Sequence, residues 1–290
     1  MTSKRKKIVT PKNDTKVAAI VLGLFVAAII LFFIFSKPKE SHKGKALPFE
    51  PLPAQPVASK PFEGLSGSGA KIAIIIDDWG QSTANCKYLR EMPEPLAVSI
   101  LPGLRHTRDV ANCAKLYHKL TMLHLPLEAL HNYDFYPLNY IIKTTMKPAL
   151  VSKIVDDDLA QLPSIEGVNN HMGSKATEDR PLMRLIFKKI KKKGLFFVDS
   201  MTARNTVCAG LADEMGLAFG KRDVFLDNVN TREAITKQIM ILAQRARRRG
   251  YAVAIGHDRH LTMQVLKEEI SWLEKQGFQI VSIKELLKNK

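Results

Sequence analysis

The sequence has few cysteines and lacks the motifs of several common functions. Its three cysteines, Cys86, Cys113 and Cys208, include no pair with the CxxC spacing of a metal-binding or redox site. An extracytoplasmic domain could form one disulfide from them, and three free thiols fit the sequence equally well. No internal repeat is present. No aromatic platform motif accompanies the many basic residues, so we expect no nucleic-acid partner, and a membrane-proximal nucleic-acid binder is the weakest alternative.

Long apolar runs are also absent, with one exception near the N-terminus. Residues 17–35 are 19 apolar or small side chains without a charge, Asn, Gln or Pro. A transmembrane helix needs about 20 such residues. A cleaved signal peptide would have a shorter apolar region followed by a small-x-small site, which this run lacks. We therefore predict a transmembrane helix over residues 17–36.

The distribution of charge orients this helix. Residues 1–16 contain six Lys or Arg and one acid, Asp14. Positively charged flanks stay in the cytoplasm, so residues 1–16 are predicted to be a cytoplasmic basic tail. The prediction is a single-pass inner-membrane protein with a periplasmic, or at least extracytoplasmic, domain. Residues 71–290 carry 33 basic and 24 acidic side chains, a net +9 out of +16 for the chain. Lipid headgroups or acidic glycans are its expected anionic neighbours.

Residues 37–70 are predicted to be a flexible linker, and residues 71–290 a single α/β domain. Six prolines and then Gly64-Leu-Ser-Gly-Ser-Gly69 make up much of the linker. The predicted strands cover residues 72–76, 96–101, 120–123, 167–169, 195–198, 224–226, 251–255 and 278–281. The predicted helices cover residues 82–91, 105–118, 148–161, 178–193, 205–214, 231–249 and 261–276. This alternation indicates a parallel sheet covered by helices, either a closed or nearly closed barrel or an open doubly wound sheet.

Polar residues follow the apolar strands and provide the main functional signal. They are Asp77, Asp78, His124, Glu128, Asn169, Asn170, His171, Ser174, Asp199, Ser200, Asp227, Asn228, His257 and Asp258. The ends of parallel strands lie on one face, and carboxylates and imidazoles gathered there suit a divalent metal of the zinc class. Adjacent acids at a buried strand end repel each other unless a cation lies between them. Structural alternatives stay open: the acid pair could cap a helix, and His124 could be a core histidine.

Two basic runs close predicted helices. Lys188–Lys193 and Arg245–Arg249 place cations where they complement the helix dipole. The simplest interpretation is a solvated face, and any role in meeting an anionic polymer is secondary.

Six motifs in order resemble those of the divergent polysaccharide deacetylase family. They are Ile-Ile-Ile-Asp77-Asp78-Trp-Gly80, His124-Leu-Pro-Leu-Glu128, Asn170-His171-Met-Gly-Ser174, Phe-Phe-Val-Asp199-Ser200, Phe-Leu-Asp227-Asn228 and Ile-Gly-His257. The resemblance covers residues 71–290 and implies a distorted (β/α) barrel of about seven strands. It also implies a metal-dependent deacetylase, and the predicted location outside the inner membrane makes a cell-envelope glycan the expected substrate.

The resemblance implies a role for each matching residue. Asp77 would be the catalytic base, Asp78 a metal ligand and His257 the general acid. The typical deacetylases have a second His four residues after the first, where this chain has His124 and then Glu128, so that ligand would be replaced or lost. His171 could supply the missing imidazole, which gives Asp78, His124 and His171 as the ligands of a divalent metal, with zinc as the metal that the resemblance implies. Glu128, Asn170, Ser174, Asp199 and Asp227 would be supporting or substrate-contacting residues.

Two other functions remain open on the sequence. One is a non-catalytic glycan-binding or scaffold protein that keeps the barrel, which the altered second motif favours. The other is a metal-dependent hydrolase of a different envelope bond. The oligomeric state is not determined by the sequence.

Overall fold

The computed structural model describes residues 69–131 and 141–288. The predicted cytoplasmic tail, the predicted transmembrane helix and nearly all of the linker lie outside these residues. Among the residues described, no helix is long and apolar enough to span a membrane. The transmembrane segment therefore stays a prediction.

The described residues form nine strands and eight α-helices. The strands are β1 (Lys71–Trp79), β2 (Ala97–Ile100), β3 (Leu120–Leu127), β4 (Gly167–Met172), β5 (Phe196–Asp199), β6 (Phe219–Lys221), β7 (Val224–Phe225), β8 (Tyr251–His257) and β9 (Gln279–Ile280). The helices are α1 (Cys86–Glu91), α2 (Thr107–Leu116), α3 (Pro148–Gln161), α4 (Arg180–Lys192), α5 (Cys208–Met215), α6 (Arg232–Arg249), α7 (His260–Lys275) and α8 (Ile283–Lys288). A short 3-10 helix, Ala176–Glu178, precedes α4.

Eight strands form one parallel sheet that curls on itself. Their order is β6-β5-β4-β3-β2-β1-β8-β7, and β9 pairs with the first two residues of β1. A flat sheet of eight strands would separate its edges by about 34 Å. Here the edge strands are consecutive in the chain, because β6 ends at Lys221 and β7 begins at Val224. The sheet must therefore curl to bring its edges together.

The short link between β6 and β7 bridges the two edges of the sheet, although these two strands do not pair with each other. The Arg222 amide donates to the Asp199 carbonyl of β5 at 2.9 Å, and the Asp223 amide donates to the Val253 carbonyl of β8 at 2.8 Å. The described residues thus form a curled α/β half-barrel with parallel strands. The predicted parallel α/β architecture is confirmed at this level.

Successive side chains of β1 point to opposite faces of the sheet. Ile72, Ile74 and Ile76 belong to the large apolar cluster that includes the buried faces of the helices. Ala73 and Ile75 belong to a second cluster inside the barrel. The inner cluster also contains Val281, Ile283 and Leu286, so α8 and the residues before it fill the end where the strands begin. The opposite end, where the strands finish, is left for polar side chains.

Strand ends and two elements differ from the sequence-based prediction. Asp77 and Asp78 were expected after the first strand, yet β1 continues to Trp79 because Asp77 still pairs in register with His257 of β8. His124 likewise lies inside β3, which continues to Leu127. The prediction also lacks β6 and α8. β6 has only three residues, one of them glycine, and α8 is recognisable only from the barrel end that it covers.

Candidate active site

The polar residues of the site continue the series of side chains that face the barrel interior. On β1 the interior series runs Ala73, Ile75 and then Asp77. On β3 it runs Leu120, Met122 and then His124. The other strands follow the same period of two, which places Ser99, Asn169, His171 and His257 at the finishing ends of β2, β4 and β8. The interior is therefore apolar where the strands begin and polar where they end.

A break in the regularity of β1 brings Asp78 to the same side as Asp77. Consecutive side chains of a regular strand point to opposite faces. Here the register of the β1–β2 pairing shifts between Ile76 and Trp79, and Asp78 has a φ of +64°. A left-handed residue at such an irregularity costs about 1–3 kcal/mol and redirects the side chain. As a result, His124 Nε2 lies 3.7 Å from Asp77 Oδ2 and 3.2 Å from Asp78 Oδ1.

Three side chains converge on one point at this end of the barrel. His171 Nδ1 lies 3.0 Å from Asp78 Oδ1 and 3.2 Å from His124 Nε2. With the 3.2 Å between His124 and Asp78, the three donor atoms form a nearly equilateral triangle. Asp78, His124 and His171 are also a group whose ligand atoms could hold a single metal ion. One carboxylate and two imidazoles leave a further position free for substrate or water.

Asn169 connects the triangle of ligand atoms to Asp77. Its side-chain oxygen accepts hydrogen bonds from Ser99 Oγ and, at 2.9 Å, from His124 Nδ1. Its amide nitrogen donates to Asp77 Oδ1 at 2.8 Å and to Ser200 Oγ at 3.3 Å. Because His124 Nδ1 donates to Asn169, Nε2 is the ring nitrogen that faces Asp78 and His171. A fully buried amide thus sets both the tautomer of His124 and the position of Asp77.

His257 stands across the site and is held by Asp227. Asp227 Oδ1 lies 2.8 Å from His257 Nδ1, while Oδ2 accepts hydrogen bonds from the His257 amide and from Thr262 Oγ1. This arrangement leaves His257 Nε2 pointing to the site, 3.7 Å from Asp78 Oδ2. The side chains of Asp78, His171 and His257 are partly exposed, at 33%, 15% and 18%. Those of Asp77 and His124 are only 3% exposed, so a substrate would enter over the first three.

Burial and neighbouring charges shift the pKa values of the site in opposite directions. Burial raises the pKa of Asp77, helped by the Asp78 charge and opposed by His124 and Asn169. Burial also opposes ionisation of Asp78, but hydrogen bonds to His124 and His171 outweigh it and hold the pKa of Asp78 far below its usual range. Burial opposes protonation of His257, but Asp227 and the charge of Asp78 outweigh it and raise the pKa of His257. The two adjacent acids therefore differ in how readily they take a proton.

Several predicted supporting residues lie away from this cluster. The Glu128 carboxylate accepts hydrogen bonds from Thr144 at 2.7 Å and pairs with Lys175 at 2.8 Å. Asn170 accepts from the Ser200 amide and donates to the Met172 carbonyl, so it fixes a loop. Ser174 accepts from the Leu130 amide, and Asp199 accepts from the Met201 amide and Thr206 Oγ1. Of the supporting residues, Asp227 is the one that contacts a central side chain.

Three residues near the centre had no role assigned from the sequence: Ser99, and also Asn169 and Asp258, which were noted only among the polar residues at strand ends. The interior series could have assigned Asn169 and Ser99 to the site, since each lies two positions after a residue that faces the barrel. Asp258 follows His257 directly, and its Oδ1 accepts a hydrogen bond from Asn85 Nδ2 at 2.7 Å. Burial raises the pKa of Asp258 to about 6, with the Asp78 charge adding to the effect. No pattern in the sequence pairs Asn85 with Asp258.

Comparisons with known proteins agree with these motifs. The family model described as divergent polysaccharide deacetylase matches residues 74–287. The uncharacterized protein YibQ of Escherichia coli (strain K12) is 32% identical over 204 residues, which cover 69% of this chain and 62% of that protein. An uncharacterized protein of Haemophilus influenzae Rd is 30% identical over 234 residues, covering 79% of this chain and 80% of that protein.

A solved structure shows the same fold. An uncharacterized protein from Agrobacterium tumefaciens C58 superimposes with a TM-score of 0.72 at 20% sequence identity. The match covers 78% of this chain and 92% of that chain.

Proposed function

We propose that this chain, which belongs to the divergent polysaccharide deacetylase family, is a metal-dependent hydrolase that removes N-acetyl groups from a cell-envelope glycan. The observation that carries the proposal is the triangle of Asp78, His124 and His171 beside a second acid and a second histidine. The family supports the deacetylase chemistry, and the choice of bond and substrate is part of the proposal.

The three donor atoms fit a divalent cation. Ligands about 2.0–2.1 Å from a tetrahedral zinc ion lie roughly 3.3 Å from one another. Asp78 Oδ1, His124 Nε2 and His171 Nδ1 are 3.0–3.2 Å apart. When bound there, a divalent cation supplies a Lewis acid that polarises an amide carbonyl and lowers the pKa of water.

The residues around the triangle perform the proton transfers of amide hydrolysis. Asp77 is held by Asn169 and has a raised pKa, which suits a base that takes a proton from the attacking water. The water oxygen adds to the acetyl carbon, and the C–N bond then breaks. Asp227 accepts from His257 Nδ1 and helps to raise the pKa of His257, which favours the imidazolium with a second proton on Nε2. His257 donates that Nε2 proton to the departing nitrogen. The products are acetate and a free amino sugar.

The proposed location extends the sequence-based prediction. A transmembrane helix over residues 17–36 with a cytoplasmic N-terminus would place residues 71–290 outside the inner membrane. An N-acetylated polymer of the envelope, such as peptidoglycan, would then be within reach. The family supports a carbohydrate substrate, and the proposed compartment favours a carbohydrate of the cell envelope.

Metal loading and acetate release test the proposal together. The purified full chain is stripped with a chelator, reloaded with Zn²⁺, Co²⁺ or Mn²⁺, and assayed on N-acetylated glucosamine oligomers and peptidoglycan. We expect one ion per chain and metal-dependent acetate release, and we expect His171→Ala to lose both. His106→Ala is the matched control, because His106 is bonded to Asp109 away from the triangle.

Other results would assign a different function. One ion per chain without acetate from any N-acetylated glycan would favour hydrolysis of another bond. Glycan binding with neither metal nor acetate would favour the scaffold alternative. Full metal occupancy in His171→Ala would remove His171 from the ligand set.

A further inference from the structure

The end of the barrel where the strands begin gathers the C-terminal ends of the helices. The chain enters the described domain at this end: the Gly69 amide donates to the Gly277 carbonyl after α7 at 3.1 Å. Two residues later, the Lys71 amide donates to the Gly250 carbonyl after α6 at 2.9 Å. The entry point of the chain is therefore surrounded by helix C-termini.

Basic side chains cluster at this end, which we call the basic end. Its members are Lys71, Lys115, Lys191, Lys192, Lys193, Arg247, Arg248, Arg249, Lys275 and Lys284. All except Lys71 and Lys284 are exposed. The two basic runs noted in the sequence, at the ends of α4 and α6, thus lie on one end of the molecule. A groove of about 890 Å³ opens beside Lys115, His118 and Lys284.

Acidic residues do not neutralise the basic end. The acids there are fewer, and most are already in ion pairs: Glu285 with Lys71, Asp223 with Arg249, Glu166 with Lys284, Glu91 with Lys267, and Glu214 with Arg180 and Arg184. Glu94, Asp213 and Glu274 are the others. Among the described residues, Lys115, Lys192, Lys193, Arg248 and Lys275 form no ion pair. These exposed cations are available to an anionic partner.

The basic end and the candidate active site lie at opposite ends of the same strands. Asp77 lies six positions after Lys71 on β1. At about 3.3 Å per strand residue, this places the two ends roughly 20 Å apart. A partner on the basic end would therefore leave the site open.

We propose that the basic end docks on the anionic phospholipid headgroups of the membrane that carries the chain, so that the active site faces away from the bilayer. The inference rests on the location proposed above. Charge complementarity supports a lipid partner, and so does the entry of the chain at this end. The predicted span ends 33 residues before Gly69, and a chain of that length reaches at most on the order of 100 Å.

Electrostatics can select this orientation because the chain already holds the domain near the surface. Each Lys or Arg within a Debye length of an anionic bilayer strengthens binding by about fivefold. Reversing three such charges should therefore weaken docking by more than about 100-fold. Docking should also weaken steeply with salt, as expected for exposed charges.

Hydrogen exchange of the full chain in nanodiscs tests the proposal. Nanodiscs of phosphatidylcholine are compared with nanodiscs that also contain phosphatidylglycerol, at low and high salt. We expect slower exchange at residues 188–194, 245–250 and 275–277 in the anionic discs at low salt, by about tenfold. The variant Lys192→Glu/Lys193→Glu/Arg248→Glu should lose this protection.

The matched control carries the same change of charge at the opposite end. Lys87→Glu/Arg105→Glu/Lys147→Glu alters three exposed basic residues at the end that bears the site, and it should keep the protection. Equal exchange in both lipids, or equal effects of the two triple variants, would overturn the proposal.

Failure of the proposed function can be distinguished from failure of the docking proposal. Acetate release concerns the site alone, so an inactive chain can still show lipid-dependent protection. A chain that is not anchored would be lost from neutral nanodiscs. Docking is then read as binding to anionic vesicles at low salt, and its absence would overturn the proposal as well.

Discussion

Substitution of Asn169 separates two functions that one buried side chain performs. Its oxygen accepts from His124 Nδ1 at 2.9 Å, and its nitrogen donates to Asp77 Oδ1 at 2.8 Å. Asn169→Ala removes both bonds. Residues that orient a metal ligand typically contribute 10–100-fold to metal affinity or activity, so we expect a loss of about that size in both. Leaving buried polar groups without partners also costs about 1–3 kcal/mol for each group.

Asn169→Asp distinguishes the two functions. An aspartate at this position can still accept from His124 Nδ1, so metal affinity should stay within about threefold of wild type. It cannot donate to Asp77 when ionised, and two facing carboxylates repel each other. We therefore expect acetate release to fall by about 100-fold or more while metal is still bound.

The assays read metal and catalysis independently. Metal affinity is measured by competition with a chromophoric chelator, acetate is measured enzymatically, and folding is checked by chemical denaturation. Asn170→Ala is the matched control, since Asn170 is the adjacent buried asparagine but bonds the Ser200 amide and the Met172 carbonyl. A folded Asn169→Ala protein with wild-type metal affinity would refute the account of His124. Equal loss of metal affinity in both Asn169 variants would refute the separation of roles.

Three further predictions follow from particular contacts. Asp158 is buried, neither of its carboxylate oxygens has a hydrogen-bond partner among the described residues, and burial together with Asp157 raises its pKa to about 7. Because this folded-state pKa lies above the unfolded value, the wild type should lose stability as pH rises from about 4 through 7. The free energy of unfolding of Asp158→Asn should therefore exceed that of wild type by about 2–4 kcal/mol at pH 8 and differ little from it at pH 4. Denaturation curves that show the same difference at both pH values would contradict this. Asp227→Asn should lower kcat by at least about tenfold without loss of bound metal, because Asp227 holds His257 and does not touch the triangle. Loss of the metal would show that Asp227 does more than position His257. Oxidised glutathione should join Cys86 to Cys113, because Cys113 Sγ donates to the Cys86 carbonyl at 3.9 Å, and should leave the buried Cys208 free. Peptide mapping that finds Cys208 in the disulfide would contradict the assignment.

Much of the architecture could be predicted from local patterns. The apolar runs and helical segments gave seven of the helices and eight of the strands to within a few residues, and α3 runs from Pro148 to Gln161 as predicted. Those patterns are strong because a strand buried on both sides must be continuously apolar, and a covering helix needs an apolar stripe. β6 is too short to give such a signal, and α8 depends on the barrel end that it packs against.

The candidate site, like the fold, could be predicted from the sequence only in part. The sequence by itself supplied the residue types at the strand ends, because parallel strands finish on one face and the interior series ends in Asp77, His124 and His257. Only the tertiary structure decided which of them meet. The left-handed backbone of Asp78 turns its carboxylate towards His124 and His171. Glu128 has the position, four residues after His124, at which the typical deacetylases have a second His, but it pairs with Lys175 instead. Position along the chain fixes which end of a strand a residue occupies, but the local backbone angle and the neighbouring elements fix the direction of its side chain.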